Sequence, residues 1–474
     1  MAAFRFRESE GAPEPRLAGA LEVGEGRAVP VTVAAASRLS LKVAFGGGAR
    51  FEQGARFRGL ALETPGGTVR LGPCRLATDG APEGFAGRLL FTGDIYDCRC
   101  LVEEGRFAEP RGAFSNLALV LSQRDQIKPE LKEWVSGLVY DLAVYKRFFD
   151  DQDRMIEAEP LDVQEAARAA LISTEGRRFI EFLRGKDREL ARLTRGYTKE
   201  EHERHGFYLR RMAWHFILAS EIHRRTNLKP RGYAGDAEMM RLIYEDAYVG
   251  HFVFNRLLHK HAVEMPGADA VRNRRRLIPR VLREVQARFA GGGTERLRFL
   301  SVASGPAWEL RDLFLGPDDA ARFQCSLLDQ DTEALRAARR AVAAVEAERG
   351  LSISVAYIEE SVRTMLRDRH LADRIGRFHF IYSMGLFDYL TPPVAKAVLA
   401  RMHTLLLPGG TLLVGNYHVS NASRVYMDYW LDWPLYYRTE DDFLALAEGL
   451  GDSTAAATFD ESGCQMFLHI ERPA

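Results

Sequence analysis

Cysteine is scarce in this chain. The five residues Cys74, Cys98, Cys100, Cys325 and Cys464, among 474, are odd in number and too scattered for a disulfide framework. Cys98 and Cys100 share one face of a strand-like run, but no second pair or neighbouring histidine completes a zinc site around them, so no metal is expected. An excess of charge is also missing. Lys+Arg and Asp+Glu both total 65, which leaves no basic field for nucleic acid and no acidic tail. No run reaches the roughly 20 apolar residues of a membrane span. The segment around Arg5, Arg7 and Glu8 lacks the apolar core of a signal peptide, and a reducing cytoplasm is the expected setting. The last absence is of glycine: the strand-to-helix turn after Phe299 has no Gly-x-Gly-x-x-Gly, which disfavours a nicotinamide dehydrogenase.

What stands there instead is one tight turn. The apolar run Phe299-Leu-Ser-Val-Ala303 breaks at Ser304-Gly305-Pro306, a helix-forming segment follows through Trp308 and Glu309, and a second apolar run ends in Asp329. This is the opening of a nucleoside-binding βαβ unit. Backbone N–H groups at the turn face a ligand, and an acid ending the second strand accepts hydrogen bonds from both hydroxyls of a ribose. A dinucleotide fold uses three glycines so that its backbone touches a pyrophosphate. With Gly305 alone remaining, a nucleoside without phosphates, such as S-adenosylmethionine, is the expected cofactor.

Three sections differ in texture, and together they predict a multidomain α/β protein. Residues 1–122 carry short alternating runs, Val31–Val33, Leu39–Phe45, Phe57–Leu62, Thr68–Leu71, Arg88–Phe91 and Tyr96–Val102, with turns such as Pro65-Gly-Gly67 between them. They predict a small antiparallel β-barrel. Gly46-Gly-Gly48 reads as a hairpin connection, because no P-loop helix follows it. Residues 123–290 predict a helical linker and cap. Leu131, Trp134, Val135, Leu138 and Val139 recur at helical spacing, and Ala166, Ala169, Ala170, Phe179, Phe182 and Leu183 continue the stripe. Asp162 and Thr198 are expected N-caps, the second opening a capping box with Glu201. His215, between Trp214 and Phe216, is expected as a satisfied core histidine. Gly291-Gly-Gly293 hinges into residues 291–474, where strands are expected at 298–303, 323–328, 352–358, 378–383, 410–416, 454–459 and 464–471. Helices between the first five strands and an antiparallel final hairpin give the seven-stranded, Rossmann-like sheet of a class I methyltransferase. Leu407-Pro-Gly-Gly-Thr411, a turn launching the fifth strand, agrees.

The strand order of the first section resembles a PilZ-like domain, the bacterial cyclic-di-GMP receptor module. Its Arg-x-x-x-Arg arm and the glycine of its serine strand are missing around Ser37–Val43, so a structural or partner-docking role is expected. Further on, Ser304-Gly-Pro-Ala-Trp-Glu309, Ile381-Tyr-Ser-Met-Gly-Leu-Phe-Asp-Tyr-Leu390, Gly415-Asn-Tyr-His418 and Asp432-Trp-Pro-Leu-Tyr-Tyr-Arg438 stand with Arg231-Gly-Tyr-Ala-Gly-Asp236 and Asn273-Arg274. Together they resemble the bacterial methyltransferases that make 3-hydroxypalmitic acid methyl ester, an extracellular quorum signal. The likeness runs from roughly 190 to 474. It implies methyl transfer from S-adenosylmethionine to a fatty-acid carboxylate, a small-molecule acyl partner. One departure is clear: Ser301 and Ala303 occupy the places of the usual acid and first glycine.

On that reading Gly305 lies beneath the methionine moiety, Asp329 with Gln330 holds the ribose, and Glu360 with Ser361 follows the third strand, where this fold contacts adenine. Tyr382, Ser383 and Met384 line the pocket under the sulfonium, whose charge favours an aromatic face or carbonyl oxygens. Tyr233 and Asp236 are expected to close over the cofactor's amino group, and Arg274 to meet its carboxylate. An acceptor carboxylate, with a reference pKa of about 4, is already ionised and attacks without a general base. The protein must align it and strip its water. Asn416, Tyr417, His418, Tyr437 and Arg438 are the candidates for that task, Arg438 as a bidentate partner and His418 as a base if the acceptor is a hydroxyl or amine. A polyketide, amino acid or other small acceptor would share every core motif, and Ser301 leaves open a sensor that only holds cofactor.

Overall fold

The computed structural model describes residues 17–24, 26–36, 40–64, 67–77, 86–93, 98, 124–291 and 296–474. The chain divides into two compact units, Met1–Gln126 and Ile127–Ala474.

Alternation builds the first unit. In β2 (Arg27–Ala36), Val29, Val31 and Val33 are buried with exposed residues between them, the period-two pattern of a half-buried strand. With β1 (Ala18–Gly24), β3 (Ser40–Phe45), β4 (Arg56–Phe57), β5 (Gly59–Thr64), β6 (Gly67–Leu71), β7 (Cys74–Ala77) and β8 (Ala86–Phe91) it forms an antiparallel sheet of order β4-β7-β8-β3-β2-β1-β5-β6. Leu21, Leu41, Val43, Leu62 and Leu89 fill its core. The expected small antiparallel barrel is corrected to a curled half-barrel, since among the described residues β4 and β6 remain edges. Gly46–Gly48 is no hairpin either: β3 pairs with β2 and β8, and the chain after the glycines crosses to β4, which pairs with β7. The Ala-Gly run of β1 and the short β7 carry too little alternation to be read in advance. The expected run Tyr96–Val102 lies outside the described residues except for Cys98, as do Pro65, Gly66 and Ser37.

The second unit opens with a helical layer: α1 (Pro129–Glu157), α2 (Leu161–Leu171), α3 (Arg177–Leu193), α4 (Lys199–Met212), α5 (Trp214–Ile217), α6 (Glu221–Leu228), α7 (Ala237–Glu245), α8 (Val253–Val263) and α9 (Pro266–Ala290). The stripe Leu131, Val135 and Leu138 is fully buried and joins Phe179 and Leu183 in one core. Thr198 caps α4 in a reciprocal box with Glu201. Three expectations are corrected. Helix α2 buries no residue, so Ala166, Ala169 and Ala170 support it through helix propensity rather than packing. Asp162 falls inside its first turn, behind the N-cap Pro160. His215 is exposed, because the short α5 turns Phe216 and Ile217 inward instead.

The remainder alternates. Strands β9 (Leu297–Val302), β10 (Phe323–Asp329), β11 (Val355–Glu359), β12 (Phe378–Ser383), β13 (Leu406–Tyr417), β14 (Thr454–Phe459) and β15 (Gln465–Glu471) form a seven-stranded sheet of order β11-β10-β9-β12-β13-β15-β14. The first five strands are parallel and β15 is antiparallel to both its neighbours. The crossovers are α10 (Glu309–Leu313), α11 (Pro317–Arg322), α12 (Thr332–Arg349), α13 (Val362–Arg367), α14 (Leu371–Ile375) and α15 (Pro392–Thr404), while α16 (Arg424–Tyr429) and α17 (Glu440–Leu444) follow β13. Helices cover both faces. Ile278, Leu282 and Val285 of α9 pack with α12 on one side, and Val398, Leu399 and Met402 of α15 pack on the other. The chain leaves β9 toward β10 and later returns to β12 on its opposite side. The carboxyl ends of these two strands therefore flank a topological switch point, where doubly wound sheets open a crevice. Among the described residues no helix is long and apolar enough to cross a membrane.

Candidate functional site

A cavity of about 520 Å³ occupies that crevice, within the range of small-molecule sites. Its floor is the turn after β9. Ala303, Gly305 and Ala307 all lie in the left-handed region, at φ 53°, 56° and 51°. For the two alanines this costs roughly 1 kcal/mol or more apiece, local strain of the kind that collects at ligand sites. A Cβ at Gly305 would meet no protein atom within 4 Å, so glycine serves the backbone angle there and leaves the cavity open. The Gly305 N–H donates to Asp329 Oδ2 at 2.8 Å, and the Asp331 N–H donates to Oδ1 at 2.9 Å. Burial raises the Asp329 carboxyl above its ordinary range while these backbone donors pull the other way. Ser304 Oγ, also in the cavity wall, is buried without a hydrogen-bond partner, a group that a ligand would satisfy.

Three further groups converge from elsewhere. The Tyr382 hydroxyl, at the end of β12, donates to Glu309 Oε1 at 2.6 Å. Arg274 of α9 is buried and donates to the Met384 carbonyl at 2.7 Å and toward the Met240 sulfur at 3.2 Å. Its neighbours Arg272 and Arg275 pair with Asp269 and Asp312, whereas Arg274 lies beside the cavity with no ion pair among the described residues. Asp388 is buried in the cavity wall, its Oδ1 accepting the Tyr417 N–H at 2.7 Å. Burial pushes its carboxyl up to about 6, against that hydrogen bond and the nearby Arg274 and Arg438. Over the opening, Arg231 and Tyr233 both donate to Asp331 Oδ2, at 3.2 and 3.1 Å.

No protein-family model matches the chain, and no curated protein is similar to it in sequence. Among solved structures it is similar to a possible exported protein from Bordetella parapertussis, at 19% identity over 63% of this chain and 97% of that one, with a TM-score of 0.42. An O-methyltransferase family protein from Burkholderia thailandensis matches at 16% identity over 76% of this chain and 99% of that one, TM-score 0.35. A magnesium protoporphyrin IX methyltransferase from Synechocystis PCC 6803 with bound SAH matches at 14% identity over 49% and 92% of the two chains, TM-score 0.34. Likeness at this level assigns no family.

Of the residues singled out in the sequence, Ser304, Gly305, Pro306, Asp329, Gln330, Glu360, Tyr382, Met384, Tyr233, Arg274 and Tyr417 line the one cavity. The others lie off its wall. Ser361 caps α13 through the Thr364 N–H. Ser383 is buried with its hydroxyl unpaired. Asp236 forks onto Arg225 at 2.5 and 2.8 Å and caps α7. Asn416 and Arg438 are buried and bonded to one another, and Arg438 also donates to the carbonyls of Phe387 at 2.8 Å and Leu390 at 2.6 Å. His418 turns to Ser420, and Tyr437 packs toward Met427. Tyr417 lines the cavity with its hydroxyl already donated to the Gly267 carbonyl at 2.6 Å. Gly235 is required by packing: a Cβ there would lie 2.5 Å from the Tyr389 hydroxyl and 2.8 Å from Trp433. Glu309, Asp388, Tyr389 and Trp433 also line the cavity, although no sequence pattern marked them as site residues. Their burial beside a void was the missing signal.

Proposed function

We propose that the chain is an S-adenosylmethionine-dependent methyltransferase whose acceptor is a carboxylic acid carrying an acyl chain. The observation that carries the cofactor is the floor of the switch-point cavity. Asp329 has both oxygens fixed by backbone donors and keeps lone pairs for a ribose diol. Gly305 leaves open space beside the turn, and Ser304 offers an unpaired hydroxyl. Gln330 and Glu360 line the same end, and Glu360 is steadied by Arg374 at 2.6 Å. Bound there, the cofactor supplies a methyl group made electrophilic by its sulfonium. Tyr382, near the end of β12, lines the cavity beside that position, and its aromatic face suits a positive charge.

The acceptor belongs at the other end. Leu386, Tyr389, Trp433 and Leu435 make an apolar, largely aromatic wall that suits an acyl chain and excludes water from an attacking oxygen. The likeness of the Ile381–Leu390 and Asp432–Arg438 runs to fatty-acid methyl-ester-forming enzymes supports the same choice, with a 3-hydroxy fatty acid as its narrowest form. One observation favours a second acceptor. Asp388, in the cavity wall with a carboxyl near 6, has the position and affinity of a general base for a hydroxyl.

Transfer of labelled methyl from S-adenosylmethionine to free fatty acids of graded length, and to the corresponding alcohols, separates the two. Label released as methanol by mild alkali marks an ester. Alkali-stable label on the alcohols would transfer the assignment to the Asp388 reading, and no transfer to either would remove both acceptors.

A further inference from the structure

We infer that Glu309 is the group that recognises the ammonium of the ligand's α-amino acid end, an acid supplied from helix α10 where strand β9 has only Ser301. The inference rests on reading the cavity as an S-adenosylmethionine site. Ser301 and Tyr382 face one another in register across β9 and β12, and the Tyr382 hydroxyl reaches past the short serine to donate to Glu309 Oε1 at 2.6 Å. Glu309 is 8% exposed and lies on the cavity wall. No ion pair reaches it among the described residues: Arg275 is committed to Asp312 at 2.7 Å and 3.0 Å, and Arg274 donates to Met384 and Met240. A buried carboxylate held only by the Tyr382 hydroxyl and its own backbone N–H, with no ion pair, is poorly compensated. Burial accordingly raises its affinity for a proton. A cation arriving in the cavity supplies what the protein does not.

The cavity wall also holds the guanidinium of Arg274, which has hydrogen bonds but no ion pair among the described residues. One buried anion and one buried cation, close enough that Arg274 counters the shift at Glu309, match the two charges of an amino acid zwitterion. A neutral nucleoside would leave both uncompensated. Ser301 thus marks a relocated acid rather than a lost one.

Calorimetric titration of the full chain with S-adenosylhomocysteine, with its analogue lacking the amino group, and with 5′-methylthioadenosine tests the assignment. The expected result is that removing the amino group weakens binding to the wild-type chain by about 10-fold or more, as for a charge-assisted hydrogen bond. Glu309→Gln should weaken S-adenosylhomocysteine by a similar factor while leaving 5′-methylthioadenosine within about twofold. Equal binding of the amino and deamino ligands to wild type overturns the assignment, and that comparison needs no variant to fold. Equal weakening of all three ligands by Glu309→Gln also overturns it, since Glu309 would then act only by holding Tyr382. If the wild-type chain binds none of the three, it is the cofactor reading of the cavity that fails, and this assignment falls with it.

Discussion

At Arg438 a single residue separates two uses of a buried cation. As a substrate ligand it would have to face the cavity, but it lies off the cavity wall and donates to the carbonyls of Phe387 and Leu390 and to the side chain of Asn416. Its removal strands three acceptors, so Arg438→Ala should lower stability by about 2–4 kcal/mol in chemical denaturation. Asp388 makes a second residue-scale prediction. Its carboxyl rises from 3.8 to about 6 on folding, so the folded state binds the proton more tightly. The benefit is full below pH 4 and is lost as pH rises through 6, reaching about 3 kcal/mol of cost above that. Asp388→Asn keeps an oxygen for the Tyr417 N–H and does not titrate. Its melting temperature should exceed that of wild type at pH 8, with the gap closing toward pH 4. The turn at Ser304 to Pro306 and the acid at Asp329 were legible in the sequence because their chemistry is local. Arg438 was not, because its partners lie 22 to 51 positions away and nothing in a strand-end motif says which way a side chain turns.

At the scale of elements, buried parallel strands announce themselves. β9, β10 and β12 are predominantly apolar and buried along nearly their whole length, with only a few polar residues such as Arg298, Gln324 and His379 among them, and such a run needs no register to be recognised. Helix α1 was equally clear from its stripe. The failures come where packing is one-sided or absent: α2 buries nothing, and the alanines that resembled a stripe were only good helix formers. Gly235 is fixed by packing that no local pattern announces. It sits in a loop whose tightness depends on Tyr389 and Trp433, themselves joined at 2.7 Å. Gly235→Ala should overpack this contact and cost about 1–3 kcal/mol, read in a thermal melt, and weaken acceptor binding more than cofactor binding. Thr198→Ala, which breaks the capping box of α4 away from the cavity, should cost about 1 kcal/mol and leave both affinities unchanged.

On the scale of the whole molecule, every residue lining the cavity belongs to the unit Ile127–Ala474. A chain starting at Ile127 should therefore fold and bind S-adenosylhomocysteine with the affinity of the full chain. The helical section and the alternating section, distinct in sequence texture, supply the cavity jointly, with Arg274 coming from one and Asp329 from the other. Texture alone could divide the chain but could not say which parts share a site. The role proposed for Asp329 and the turn before it is to hold the nucleoside of S-adenosylmethionine. It is tested most directly by titrating S-adenosylhomocysteine into the wild-type chain and into Asp329→Ala under identical conditions. Saturable one-to-one binding by wild type, weakened about 100-fold or more in the variant through the loss of two charge-assisted hydrogen bonds, is the expected result. Absence of binding by wild type, or equal binding by both proteins, would contradict it.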